Sequence, residues 1–166
     1  MVKEIQLTLG KVALVDDEDY EFLNQWKWYA HKGYGEHWYA VRKHTVNGKQ
    51  VMIRMHYEIL KTPKGMESDH KDGNGLNNQR YNLRVCTRAE NQHNQKGYLE
   101  TKTSAFKGVS WHKKGNSWRA QIGLSNKRIH LGSFATELEA ALAYNEAAKK
   151  YFGEFARLNQ LAEEGR

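Results

Sequence analysis

Asp69-His70, Asn82 twelve residues after His70 and Asn91 nine beyond that bring together the side chains that a metal-dependent phosphodiesterase needs. Attack of water on a phosphodiester builds charge on a phosphorane, and the water must lose a proton near neutral pH. Asp69 and Asn91 offer hard oxygen ligands for a cation that takes up the charge. His70 offers the base. The chemistry suggested is hydrolysis of a nucleic-acid backbone.

The elements around these residues suit that task. A short helix from Met55 to Lys61 ends before Pro63, and Met66 to Ser68 leads as a strand into Asp69-His70. Lys71 to Asn78 (Lys-Asp-Gly-Asn-Gly-Leu-Asn-Asn) is turn chemistry throughout. A second strand follows over Asn82 to Cys86, and Thr87 with Glu90 forms a capping box, so a helix starts at Thr87 and runs to about Asn94. In such a hairpin followed by a helix, the end of the first strand and the first helical turns face one another across a narrow gap. Asp69 and Asn91 sit there. A lone Asp-His pair carries little, and an Asn-rich loop alone reads as a solvated turn; the joint pattern is the signal.

Residues 55–95 resemble the HNH, or ββα-metal (His-Me finger), endonucleases, in particular the homing endonucleases of phages and bacteria. The resemblance rests on Asp69-His70, on Asn82-Leu83-Arg84 after the Gly/Asn loop, and on Glu90-Asn91 early in the helix. It implies Asp69 and Asn91 as ligands of one Mg²⁺ or Mn²⁺ and His70 as general base, its ring held by a backbone carbonyl of the loop. Asn82 completes the catalytic set by clamping that loop. His56 matches an upstream histidine of the subgroup, with its role open between packing and phosphate contact. Where some members carry a third ligand, four residues after Asn91, this chain has Gln95, and His93 points off that face. The expectation is therefore two protein ligands completed by water and phosphate. Products with 5′-phosphate and 3′-hydroxyl ends are implied, and a single such site nicks one strand.

The C-terminal third is basic. Between Glu100 and Glu137 there is no acidic residue, while Lys102, Lys107, Lys113, Lys114, Arg119, Lys127 and Arg128 fall in the gap with Trp111, Trp118, His112 and His130 among them. A solvated face is the bland alternative, but basic residues interleaved with aromatics are what a nucleic-acid surface requires. Three short strands joined at Lys114-Gly115-Asn116 and Ser125-Asn126 precede a helix opened by a second capping box, Thr136 and Glu139. Residues 103–159 resemble the Apetala-two/ethylene-response-factor DNA-binding domain, through Phe106-Lys107-Gly108-Val109, Trp118-Arg119-Ala120-Gln121-Ile122 and His130-Leu131-Gly132-Ser133-Phe134. In that family a three-stranded sheet lies in the major groove. Carried over, the DNA-contacting positions are Lys107, Ser110, His112, Lys114, Gln121, Gly123, Arg128 and His130, with Arg119 and Trp111 close by. Several of the family's arginines and tryptophans are replaced, so the target sequence is not inherited.

The remaining residues open with strands over Glu4–Leu9 and Lys11–Val15, an acidic segment Asp16–Asp19 starting a short helix, and strands over Trp26–Ala30, His37–Lys43 and Gln50–Arg54. Trp26, Trp28, Trp38 and Tyr39 read as core more readily than as a nucleobase platform. The expected class is α+β in three parts: a small mixed β region over 1–54, the nuclease unit over 55–100, and a three-stranded antiparallel sheet on one helix over 101–160. In 166 residues with net charge +7 there is no run of the roughly eighteen apolar residues that a membrane span needs, and no secretory leader is read. A cytoplasmic protein acting as a monomer on double-stranded DNA is expected. One cysteine, Cys86, gives neither an internal disulfide nor a multi-cysteine zinc site and reads as a small buried hydrophobe. An HNH endonuclease uses all of these features. A sequence-specific DNA-binding regulator with an inactive nuclease unit is the runner-up, and a structural or RNA-binding protein needs neither spacing.

Overall fold

The computed structural model describes residues 1–95, 103–124 and 127–161. It is mixed α+β, and its backbone groups into two compact units, Met1–Asn91 and Gln92–Arg166. The expected turn at Ser125-Asn126 lies outside the described residues.

In the first unit, β1 (Val2–Gln6) and β2 (Val12–Asp16) pair antiparallel, with Ile5, Ala13 and Val15 turned inward. Helix α1 (Asp17–Leu23) follows with Asp17, Glu18 and Asp19 in its first turn, where acids complement the exposed amides. A three-stranded antiparallel sheet has the order β3 (Tyr29–Lys32), β4 (Trp38–Val46), β5 (Lys49–Arg54). Its β4–β5 connection is Asn47-Gly48 with φ of 50° and 75°, the paired left-handed conformation that matches strand twist. The expected strand over Trp26–Ala30 begins instead at Tyr29. Trp28 is drawn into the core, where its indole N–H donates to the Leu23 carbonyl at 2.8 Å, and a side chain pinned this way leaves the ladder. Trp26 also packs against this core, with the Arg42 guanidinium 4.3 Å from its ring.

Helix α2 (Met55–Leu60) leads to an antiparallel pair, β6 (Glu67–His70) and β7 (Leu83–Cys86), followed by α3 (Arg88–Asn94). Ile5, Leu23, Trp28, Met55, Ile59 and Leu83 belong to one core cluster. The N-terminal strands and α1 thus share a core with the Asp-His hairpin, and Leu23→Ala in that core costs about 2–5 kcal/mol.

In the second unit, β8 (Val109–His112), β9 (Ser117–Leu124) and β10 (Lys127–Phe134) form an antiparallel sheet in the order β10-β9-β8, covered on one face by α4 (Glu137–Phe152). Alanines at 140, 141, 147 and 148 let α4 approach Val109, Ala120 and Ile122 closely. Its start is fixed by the expected box, Thr136 with Glu139. Gly108, at φ +77°, could not be another residue, because a Cβ there would run into the Tyr144 ring. Among the described residues no helix is long and apolar enough to cross a membrane.

Candidate active site

The loop between β6 and β7 is held by the side chains the sequence made conspicuous. Asn82 Nδ2 donates to the Asn77 carbonyl at 2.8 Å and to Asp72 Oδ1 at 3.0 Å, and Asn82 Oδ1 accepts from the Asp72 amide at 3.1 Å. Asp72 Oδ1 also takes the Asn74 amide at 2.7 Å, and Asn74 Oδ1 takes the Leu76 amide at 3.1 Å, two successive Asx turns. From the other side, Asp16 accepts the Arg80 amide at 2.7 Å, and Asp19 receives Arg80 through two nitrogens at 2.6 and 2.8 Å. The acidic start of α1 therefore does more than cap its own helix. It anchors the turn that delivers Asn82.

His70 ends β6, 5% exposed. Its Nε2 faces Asn78 Oδ1 at 3.3 Å, while Asn78 Nδ2 donates to the Leu76 carbonyl at 3.2 Å. With the Asn78 nitrogen on the Leu76 carbonyl, its oxygen is the atom that faces the imidazole, an arrangement that suits a hydrogen on Nε2 and a basic Nδ1. A side-chain amide thus meets the ring on its Nε2 side. His56 lies edge-on to it, ring centroids 4.5 Å apart, at 2% exposure and with Nδ1 lacking a hydrogen-bond partner. His56 thus packs against His70. Burial lowers the His70 pKa despite the Asn78 hydrogen bond and the charges of Asp72 and Asp69. Burial, then the charges of His70 and Arg54, holds His56 well below the histidine range.

These shifts set a pH dependence of stability. The unfolded chain protonates both rings near pH 6.5, about the ordinary histidine value, whereas the folded chain does so only at lower pH. The unfolded state then binds more protons as pH falls, so stability present in full above that value is lost toward the folded-state values. The melting temperature is expected to fall between about pH 7 and about pH 5, and less steeply in His56→Phe. An equal slope in both proteins would contradict this.

Asp69 and Arg84 stand directly opposite in the β6–β7 register, and the guanidinium reaches Asp69 Oδ2 at 2.7 and 2.9 Å, both side chains nearly buried. Glu67, two residues earlier on the same strand face, accepts from Asn91 Nδ2 at 2.6 Å. Asn91 is presented by α3, whose start is fixed by Thr87 and Glu90 as the sequence indicated. Burial, and then the charges of Asp69 and Glu67, push the Cys86 thiol up to about 11. Asp69, Glu67 and Asn91 carry hard oxygen atoms, the donor type that Mg²⁺ and Mn²⁺ take. Among the described residues no three His, Cys, Asp or Glu side chains gather into a metal-holding group. His93 stacks its ring on Phe152 at 3.8 Å.

On the C-terminal sheet, strand alternation turns Ser110, His112, Arg119, Gln121, Gly123, Arg128 and His130 away from α4. Ser110 pairs with Arg119, Gln121 with His130 and Gly123 with Arg128. Lys114 lies in the turn after β8, and His112 Nδ1 accepts the Gly115 amide there at 3.1 Å. Trp111 alternates to the other face, its ring 5.2 Å from Trp118. Lys107 Nζ donates to the carbonyls of His93 and Gln95 at 2.6 and 2.7 Å.

Residues 61–93 match the HNH endonuclease family, and residues 104–154 match the AP2 domain. The uncharacterised HNH endonuclease L560 of Acanthamoeba polyphaga mimivirus is 30% identical over 161 residues, covering 92% of this chain and 76% of that protein. The chain belongs to the HNH endonuclease family. Protein 3.8 of Escherichia phage T7 is 36% identical to this endonuclease over 95 residues, 57% of the chain and 77% of the phage protein. The AP2-like ethylene-responsive transcription factor AIL7 of Arabidopsis thaliana is 48% identical over 52 residues, 30% of the chain and 10% of the plant protein. HNH enzymes work with a divalent metal.

Sequence reasoning about this endonuclease passes over Arg84, Asn78 and Glu67. Arg84 stands out only as the third residue of Asn82-Leu83-Arg84, yet its place opposite Asp69 follows once the hairpin register is known. Glu67 is within reach of alternation alone, two residues before Asp69. Asn78 has no separate signal, because its side chain finds His70 only after the Asn82 clamp has closed the loop.

Proposed function

We propose that this endonuclease hydrolyses duplex DNA one strand at a time as a site-specific nicking or homing enzyme, with a ββα-metal unit within 55–100 that cuts and a sheet within 101–160 that docks. The observation that carries the reading is buried His70, its Nε2 facing Asn78 Oδ1, at the end of the strand that also bears Asp69. His70 Nδ1 takes the proton of the attacking water, and burial keeps the imidazole unprotonated below the ordinary histidine range. Asp69 and Asn91 supply the protein oxygens for Mg²⁺ or Mn²⁺, with Arg84 fixing the Asp69 carboxylate. A cation there would supply charge stabilisation to the phosphorane and to the leaving 3′ oxygen. Asn82 acts through the loop it clamps. The products are a 5′-phosphate and a 3′-hydroxyl.

Docking falls to the outer sheet face: Ser110, His112, Lys114, Arg119, Gln121, Arg128 and His130, aimed at the major groove. Support comes from the acid-free stretch of the sequence and from the register that puts Arg119 opposite Ser110 and Arg128 opposite Gly123 on the face away from α4. Arg119→Ala and Arg128→Ala are each expected to weaken DNA binding and to flatten the salt dependence of log Kd by about one unit of slope for each phosphate no longer neutralised. An unchanged slope in both would remove this face from the interface.

The test is supercoiled plasmid incubated with Mg²⁺, Mn²⁺ or EDTA. Open-circular DNA accumulating first, and only with metal, supports the proposal. Linear DNA without an open-circular precursor contradicts one-strand cutting, and cleavage in EDTA contradicts the metal's role.

A further inference from the structure

Resting on the metal site proposed above, we propose that Glu67 is the positioning residue that sets which end of the Asn91 amide faces the cation. A primary amide has one oxygen that can ligate a hard cation and one nitrogen that cannot, and a half-turn about the side-chain bond exchanges them. A carboxylate only accepts hydrogen bonds. Glu67 Oε2, 2.6 Å from the Asn91 amide, therefore takes the nitrogen and directs Oδ1 away from itself. Glu67 is itself held in place, since it sits in β6 opposite Cys86, whose thiol donates to the Glu67 carbonyl at 3.6 Å. Its backbone is thus fixed by the same strand that carries Asp69. Partners behind a ligand that fix its orientation change metal affinity by about 10–100-fold.

The competing role for Glu67 is that of a direct ligand, and the two make different statements about a double variant. In the wild-type background Glu67→Gln removes the acceptor-only partner, so both amide orientations are populated and Mn²⁺ binding weakens. In an Asn91→Asp background both atoms at the tip of residue 91 are oxygens, and there is no orientation left to choose. There Glu67→Gln should weaken Mn²⁺ binding much less than in the wild-type background, because only the carboxylate's charge is lost and no ligand orientation.

The experiment is Mn²⁺ titration of the full chain without DNA, read by electron paramagnetic resonance. It uses wild type, Glu67→Gln, Glu67→Asp, Glu67→Ala, Asn91→Asp and the Glu67→Gln/Asn91→Asp double variant, each with a melting curve. The expected result is about 10–100-fold weaker binding for Glu67→Gln alone, a clearly smaller weakening in the Asn91→Asp background, and partial recovery in Glu67→Asp, which keeps an acceptor-only group. Equal weakening in both backgrounds makes Glu67 a ligand and overturns the proposal, as does wild-type affinity in Glu67→Gln. Absence of Mn²⁺ binding in wild type overturns the metal-site reading itself, and this proposal with it. If Glu67→Gln fails to fold, Glu67→Asp against wild type decides: tighter binding than in Glu67→Ala supports positioning by an acceptor, and equal loss contradicts it.

Discussion

His70→Ala is expected to slow single-turnover DNA cleavage by about 10²–10⁴-fold, the range a positioned general base contributes. DNA affinity should stay within about twofold of wild type, because the ring is buried against His56 and Asn78 and is not on the sheet face proposed to dock. Measuring the cleavage rate at saturating enzyme beside a gel-shift affinity separates the two quantities. A variant that cuts at the wild-type rate removes His70 from the chemistry. One that loses DNA affinity in proportion to rate places His70 in binding instead.

The second large effect concerns Asn82. Asn82→Ala removes three hydrogen bonds from a side chain that is 2% exposed, and leaves the Asn77 carbonyl and the Asp72 amide and carboxylate to find other partners. At about 0.5–1.5 kcal/mol net per bond, with more where a buried group is orphaned, the loss is about 2–4 kcal/mol. Cleavage should fall as well, since the loop that loses its clamp holds Asn78 against His70. Urea unfolding and the single-turnover rate measured on the same protein give both values. A stable, fully active Asn82→Ala would show that the Asp16 and Asp19 bonds to residues 79 and 80 hold the loop unaided.

Whatever local chemistry dictates is legible in the sequence. Capping boxes at Thr87 and Thr136 fix two helix starts, because a hydroxyl and a carboxylate three residues apart satisfy amides no other arrangement reaches. Asn47-Gly48 marks the hairpin turn for the same kind of reason. The three-stranded sheet on an alanine-rich helix follows from short strands and a small-residue face. Hidden are the interactions that exist only after the chain has folded back on itself. Arg80 meets Asp19 across sixty-one residues, and nothing at either position announces the other. The strand start at Tyr29 escapes a reading by residue type because the Trp28 indole satisfies the Leu23 carbonyl and drops out of the ladder. In the candidate site, the residue types that do chemistry are conspicuous at Asp69, His70 and Asn91, while their partners Arg84, Asn78 and Glu67 are not.

The resemblance puts Lys107 on DNA; without DNA its ammonium lies on the His93 and Gln95 carbonyls, an arrangement that depends on the segment before the sheet and not on the sheet's own sequence. Arg119 and Arg128, which lie on the sheet itself, are the residues whose replacement reads the salt dependence of the sheet face alone.

The most direct test of the central claim is to locate Mn²⁺ by anomalous scattering in crystals of His70→Ala bound to uncut duplex. A peak is expected at coordination distance, roughly 2.1–2.2 Å, from oxygens of Asp69 and Asn91, with a phosphate oxygen completing the shell. A peak that engages neither side chain, with Arg84 still holding Asp69, would contradict it.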